Sequence, residues 1–136
     1  MRKNTKIELL KRVPLFSGCS KQELAEVASV ADEIDVGAKR TLTTEGEPGR
    51  EFVVIVEGTA EVRKRRRRLN MLGAGDFLGE IALVSGGPRT ATVTTTTPAR
   101  LLVISHHAFR SLMTSSPKIQ TKVLEALAER LHADSL

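Results

Sequence analysis

One segment of the sequence combines glycines, an acid and an arginine at a spacing that suits an anion. It runs Gly75-Asp76-Phe77-Leu78-Gly79-Glu80-Ile81-Ala82-Leu83, and Arg89-Thr90-Ala91 begins six residues later. A glycine-rich turn that leads into a helical turn presents free backbone N–H groups, because the first N–H groups of a helix have no internal acceptor. Arg89 adds a planar, permanently charged fork, whereas ionised Glu80 accepts hydrogen bonds from hydroxyl groups. The pattern therefore predicts a site for a phosphate beside a sugar diol.

Short strands are predicted on both sides of this segment. Between residues 32 and 104, apolar or alternating runs are separated by turn residues at spacings of about 8–12 residues. The predicted strands are Ile34–Val36, Thr41–Thr43, Phe52–Val56, Thr59–Arg63, Arg68–Leu72, Thr90–Thr96 and Arg100–Ile104. Strands of this number and length are typical of a β-sandwich or barrel. The predicted fold class is mainly β with flanking helices.

Helices are predicted at both ends of the chain. In residues 1–31, Thr5–Lys11 is a short helical stretch, and Ser20-Lys21-Gln22-Glu23 has the pattern of a capping box at the start of a second helix. In residues 105–136, Ser105 caps one predicted helix, and Ser116-Pro117 begins the last one. The last helix carries an apolar stripe at helical spacing, Ile119, Val123, Leu124, Leu127 and Leu131. This stripe requires a packing partner.

Length and composition exclude several classes of protein. The 136 residues suit one domain, and 40% hydrophobic with 27% charged residues argues against a disordered or fibrous chain. With neither Trp nor Tyr and only four Phe, aromatic platforms for stacking bases are nearly excluded. The net charge is +5, but six of the 21 basic residues lie in the run Arg63–Arg68, and the other 15 face 16 acids. The basic character is therefore one local feature.

The remaining reactive residue types suggest no catalytic site. Cys19 is the single cysteine, which fits a reducing compartment and a structural role. No apolar stretch has the length that a bilayer span needs, so we expect a cytoplasmic protein. His106 and His107 are adjacent and would point apart, and His132 is the only other histidine, so no metal site is expected. We expect a binding protein and not an enzyme.

The ordered set of motifs resembles the cyclic-nucleotide-binding domain family, over nearly the whole chain. Val13-Pro14-Leu15-Phe16-Ser17-Gly18 is similar to the segment that leads into that domain, and Glu45-Gly46-Glu47-Pro48-Gly49 is similar to its early turn. Gly58 matches the glycine of the next strand junction. Gly79-Glu80-Ile81-Ala82-Leu83 with Pro88-Arg89-Thr90-Ala91 closely matches the family's phosphate-binding cassette.

The resemblance implies a β jelly roll flanked by helices, with helical residues 1–31, a barrel over 32–104, the cassette at 79–91 and C-terminal helices over 105–136. By position in the family, Arg89 would bind the exocyclic oxygens of the cyclic phosphate, and Glu80 would bind the ribose 2′-hydroxyl. Backbone N–H groups of Gly79, Ile81, Ala82 and Ala91 would complete the cradle. Thr90 follows the arginine, where some members that prefer cGMP also have Thr. The expected ligand is cAMP, with cGMP as the alternative.

For several features of the sequence, more than one interpretation stays open. The Arg63–Arg68 run is either a solvated hairpin tip or a site for nucleic acid, acidic lipid or an acidic partner. The last helix either packs in the core or acts as a mobile lid or a homodimer helix. Arg89 and Glu80 could also form a salt bridge with no ligand. The chain could be part of a larger cAMP-regulated transcription factor, channel, kinase or transferase, and a cupin-like metalloenzyme is a third hypothesis.

Overall fold

Helices flank a set of short strands in the order that the sequence predicts. The structure is a computed structural model and describes residues 3–79, 88–89 and 91–135. The N-terminal helices are α1 (Lys3–Lys11) and α2 (Lys21–Ser29), with a 3-10 turn (Pro14–Phe16) between them. The strands are β1 (Asp32–Val36), β2 (Thr41–Thr43), β3 (Glu51–Glu57), β4 (Ala60–Lys64), β5 (Arg67–Leu72), β6 (Phe77–Leu78), β7 (Thr92–Thr95) and β8 (Ala99–Ser105). The C-terminal helices are α3 (His106–Ser115) and α4 (Pro117–Ser135).

The described strands form two antiparallel sheets of four. One sheet has the order β1-β8-β3-β6, and the other has the order β2-β7-β4-β5. Neighbours in each sheet are mostly distant in sequence, as in β3 beside β8 and β4 beside β7. The mainly β jelly-roll prediction is confirmed. β6 is an additional strand, since the sequence analysis assigned Phe77-Leu78 only to the glycine-rich turn.

Both faces of β3 are buried, which explains its unbroken apolar run. Phe52 and Val54 belong to a core that the sheet shares with the helices, whereas Val53 and Ile55 belong to a second core between the two sheets. Side chains alternate between the faces of a strand, so one strand contributes to both cores. All four phenylalanines meet in the helical core, where the rings of Phe16, Phe77 and Phe109 lie 5.6–5.9 Å from the ring of Phe52.

The predicted starts of α2 and α3 are confirmed, whereas α1 begins at Lys3, two residues before the predicted Thr5. The Ser20 backbone N–H donates to Glu23 Oε1 at 2.8 Å, and the Glu23 N–H donates to Ser20 Oγ at 3.1 Å, which completes the capping box. Ser105 Oγ accepts the Ala108 N–H at 3.1 Å at the start of α3.

In α4, Ile119 and Val123 are buried, and Leu124 is 48% exposed. The side chains of Leu127 and Leu131 lie outside the described part of the chain. No described helix has the length and apolar character that a membrane crossing requires.

Candidate anion-binding site

Gly79 begins the candidate site because β6 places it beside β3. Leu78 pairs with Val53, so the next residue lies next to the backbone carbonyl of Glu51. Gly79 has φ +92°, a left-handed conformation that L side chains rarely adopt. A Cβ atom at this position would overlap the Arg89 guanidinium and the Glu51 oxygen, and it would lie 3.1 Å from Arg89 Cζ. Both the backbone conformation and the neighbouring guanidinium therefore require glycine.

Arg89 is fixed through its backbone and its side chain. The residue is 8% exposed, and its guanidinium donates a hydrogen bond to the Glu51 carbonyl. Its backbone N–H donates to the Glu47 carbonyl at 2.8 Å, and its carbonyl accepts the Gly46 N–H at 2.9 Å. Pro88 forms an isolated antiparallel bridge with Pro48. The turn between β2 and β3 thus holds the arginine in one position.

The same region of the chain holds the residues that follow Arg89. Thr43 Oγ1 donates to the Ala91 carbonyl at 3.0 Å, and the Glu45 N–H donates to Thr92 Oγ1 at 2.9 Å. Residues 43–51 therefore provide a frame that spans from the Arg89 guanidinium to the start of β7. We call residues 43–51 the frame segment.

The structure brings Gly79 and Arg89 into contact and places Ala91 on the frame segment. Glu80, Ile81, Ala82 and Thr90 lie outside the described residues, so their roles stay predictions. The sequence analysis missed the Glu51 carbonyl as a partner of Arg89. Glu45–Gly49 was recognised as a turn, but a turn motif carries no signal that its backbone groups bind Arg89, about 40 residues later in the chain.

The arrangement is chemically suited to a phosphate. A guanidinium has five N–H donors in a planar fork that matches phosphate oxygens, and it stays charged at any physiological pH. Burial strengthens such charge-assisted hydrogen bonds, because the local dielectric constant is lower than in water. Among the described residues, no three His, Cys, Asp or Glu side chains gather to hold a metal ion.

The C-terminal helix α4 is tied to α2 by an ion pair. Lys122 Nζ donates to Glu23 Oε1 at 2.7 Å. The hydrogen bond from Lys122 and those from Ser20 lower the pKa of Glu23 to about 2. The same hydrogen bond raises the pKa of Lys122. Cys19 lies nearby and is half-buried, and burial raises the pKa of its thiol, which agrees with a structural role.

Comparison with known proteins decides which family has this arrangement. Residues 33–116 match the cyclic nucleotide-binding domain family, and this range includes the frame segment, Gly79 and Arg89. The chain belongs to the cyclic nucleotide-binding domain family. The resemblance on which the sequence analysis relied is confirmed.

Relatives and solved structures agree with this assignment. The CRP-like cAMP-activated global transcriptional regulator of Mycobacterium tuberculosis is 30% identical over 129 residues, which are 91% of this chain and 58% of the relative. The chain thus spans less than two thirds of that protein. The N-terminal domain of a transcriptional regulator from Streptomyces coelicolor A3(2) is 32% identical, with a TM-score of 0.81 and coverage of 93% and 92% of the two chains. The regulatory domain of Toxoplasma gondii PKA, solved with cAMP, has a TM-score of 0.81 and is 25% identical. The match covers 94% of this chain and 50% of the Toxoplasma chain.

Proposed function

We propose that this chain is a regulatory module that binds cAMP, in preference to cGMP, without chemically altering it. The observation that carries the proposal is the buried Arg89 guanidinium, held against the backbone of Gly79 and on the Glu51 carbonyl. The likeness to a PKA regulatory domain solved with cAMP and to a cAMP-activated regulator favours cAMP as the nucleotide. We place the module in the cytoplasm, and we treat residues 1–136 as one binding unit.

Each proposed contact uses one chemical property of the ligand. Arg89 would bind the exocyclic oxygens of the cyclic phosphate, since its fork matches them in geometry and charge. Glu80 would accept the hydrogen bond of the ribose 2′-hydroxyl. The backbone N–H groups of Gly79, Ile81, Ala82 and Ala91 would complete the phosphate cradle, and Thr90 would lie beside the base or the phosphate. The absence of a side chain at Gly79 lets the backbone approach the anion closely.

Titration calorimetry with cAMP and cGMP on one preparation tests which nucleotide the chain binds more tightly. We expect tighter binding of cAMP, and we expect Arg89→Ala to weaken it by about 30-fold to several thousand-fold, because losing one partner of a desolvated charge pair costs about 2–5 kcal/mol. Arg100→Ala is the matched control. Arg100 lies on β8 in partly exposed ion pairs with Asp35 and Glu33, so its loss removes the same charge and should leave the affinity unchanged. Equal affinity in the wild type and Arg89→Ala would refute the assignment.

The role of Glu80 is tested by a cycle of ligand and protein changes. The 2′-deoxy analogue of cAMP should bind the wild type more weakly than cAMP does. In Glu80→Ala the two ligands should bind equally, because the carboxylate that distinguishes them is gone. An unchanged preference for cAMP in the variant would remove Glu80 from the site.

We propose that the signal leaves the module through α4. A ligand shifts a conformational equilibrium only by its differential affinity for the two states, so one element must differ between them. The ion pair of Lys122 with Glu23 holds α4 to α2, and Leu124 exposes an apolar surface beside a groove that Phe109, Met113 and Val123 also line. This surface would serve as a lid or a homodimer contact. NMR of labelled protein should show ligand-dependent shifts in α4, and their absence would reject this mechanism.

A further inference from the structure

The hairpin of β4 and β5 carries a basic surface whose role the nucleotide site does not explain. Its residues Arg63, Lys64, Arg65, Arg66, Arg67 and Arg68 are all exposed. Arg63 pairs with Arg68 and Lys64 with Arg67 across the strands, so all six cations gather at one end of one sheet. Among their described contacts, the Arg63 side chain pairs with Glu61, and the Arg65 backbone N–H donates to Glu45 at 2.9 Å. Two carboxylates offset only part of the charge.

The turn at the tip places arginines in an unfavourable conformation. Arg65 and Arg66 have φ +52° and +67°, so both central residues of this two-residue turn are left-handed. Asn-Gly is the preferred pair for such a turn, since L residues with larger side chains are strained there. Strained residues persist where a function requires them, and a tip that only faces solvent has no need for two arginines. The tip therefore presents charge at a cost in local stability.

Apolar side chains lie next to the charge. Leu69 is 56% exposed and Met71 is 42% exposed, and both follow the arginines on β5. They are two of the four large apolar residues that are exposed in the described part of the chain. Cations beside exposed apolar side chains are complementary to a bilayer surface, where anionic headgroups lie above the acyl chains.

We propose that the Arg63–Arg68 hairpin, with Leu69 and Met71, docks on a bilayer that contains anionic lipid. The basic residues would bind the anionic headgroups, and the two apolar side chains would enter the boundary between headgroups and acyl chains. This proposal goes beyond nucleotide binding and does not depend on it. The helices pack on the other sheet, so a bilayer at the hairpin leaves α3 and α4 uncovered.

Two other partners fit the surface less well. Nucleic acid would use the cations, but it gives Leu69 and Met71 no apolar surface, and residues 60–72 contain no aromatic side chain for stacking on bases. A protein strand could add to β5, which is the edge strand of its sheet among the described residues. However, the register shifts between Val62 and Arg63, so that Leu69 is an extra residue on β5, and a bulged and charged edge resists strand addition.

Vesicle sedimentation tests the proposal with the whole chain. The probes are vesicles of phosphatidylcholine with phosphatidylserine and vesicles of phosphatidylcholine alone. We expect binding to the first and none to the second, and added salt should weaken it. The variant Arg65→Asn/Arg66→Gly should bind about 25-fold more weakly, since each basic residue near an anionic surface contributes about fivefold. Asn-Gly suits the turn, so the variant keeps the hairpin.

Two further variants separate the local surface from net charge and from nucleic acid. Lys39→Asn/Arg40→Gln also removes two charges, but at the end of the sheet beside Thr95, whereas Arg63 pairs with Thr92 at the other end. It should bind vesicles within about twofold of the wild type if the surface is local. Leu69→Ser/Met71→Ser should weaken vesicle binding by about tenfold through lost apolar burial, and should leave the binding of a double-stranded oligonucleotide unchanged.

Four results would overturn the proposal. They are equal sedimentation with both kinds of vesicle, an equal loss in the Lys39 and Arg40 variant, unchanged vesicle binding in the Leu69 and Met71 variant, and tighter binding to the oligonucleotide than to the vesicles. The last result would assign the hairpin to nucleic acid. None of them bears on nucleotide affinity, so cAMP titration of the same samples tests the proposed function separately.

Discussion

Replacing Gly79 by alanine tests the contact on which the candidate site depends. Gly79 has φ +92°, where an L residue costs about 1–2 kcal/mol. The new Cβ would also overlap the Arg89 guanidinium and the Glu51 carbonyl, and overpacking of this kind costs about 1–3 kcal/mol. The free energy of unfolding should therefore fall by about 2–5 kcal/mol. Because the guanidinium must move, affinity for cAMP should fall at least about 30-fold.

Two other glycines provide matched controls for this variant. Gly58 has φ +99°, and a Cβ there would lie 2.6 Å from the Pro98 carbonyl, so Gly58→Ala carries similar strain. Gly58 follows the Glu57 end of β3, whereas the site lies at the Glu51 end. Gly58→Ala should therefore lose stability and retain its affinity for cAMP. Gly73 has open space around it, so Gly73→Ala should change stability by less than about 0.5 kcal/mol.

Urea unfolding followed by circular dichroism measures the stability, since the chain lacks Trp and Tyr. Calorimetry in the absence of urea measures the affinity. If folded Gly79→Ala binds cAMP as tightly as the wild type does, the inference that Gly79 positions the Arg89 guanidinium for a ligand is wrong. A loss of affinity in Gly58→Ala as large as that in Gly79→Ala would show that lost stability, and not the local contact, weakens binding.

Three further changes test the supporting contacts. The pKa of Glu23 is lowered to about 2 from an ordinary 4.5, so its ion pair stabilises the fold above pH 4.5, and this stabilisation is lost as the pH falls towards 2. The difference in urea midpoint between the wild type and Glu23→Gln should therefore shrink over that range, and a constant difference would contradict this. Thr95→Val should destabilise the fold by about 1–3 kcal/mol in urea unfolding, because buried Thr95 Oγ1 donates to the Gly37 carbonyl and accepts the Arg40 N–H, both at 2.8 Å. An unchanged urea midpoint would show that these hydrogen bonds contribute nothing to stability. Glu45→Ala should weaken cAMP binding only about fivefold in calorimetry, since it removes one hydrogen bond, from the Arg65 N–H of the hairpin to the Glu45 side chain of the frame segment. A loss of affinity as large as that of Arg89→Ala would refute this modest role of Glu45.

Much of the fold could be predicted because its signals are local. The capping box at Ser20 and the cap at Ser105 each depend on residues within one helical turn, and both were predicted. The run Phe52–Val56 predicts a strand by composition alone. β6 was missed because it has two residues, which are too few to show any periodicity, and it exists through its pairing with β3.

The sequence pointed to two residues of the candidate site, but not to the backbone contacts that hold them. Gly79 and Arg89 were identified from the sequence, and the structure places them in contact. The hydrogen bond from Arg89 to the Glu51 carbonyl, and those that join Arg89 to Gly46 and Glu47, arise from backbone groups that every residue has. No residue type signals such contacts, because long-range strand pairing determines them. For the same reason the left-handed arginines at the hairpin tip could not be predicted, since turn signals favour Gly and Asn there.

A crystal structure of the chain with cAMP tests the central claim most directly. The account predicts that the exocyclic oxygens of the phosphate lie about 2.7–2.9 Å from the guanidinium nitrogens of Arg89, the range of charge-assisted hydrogen bonds. It also predicts that the phosphate lies against the backbone of Gly79. A nucleotide bound at another surface, or a phosphate that contacts neither residue, would contradict the account.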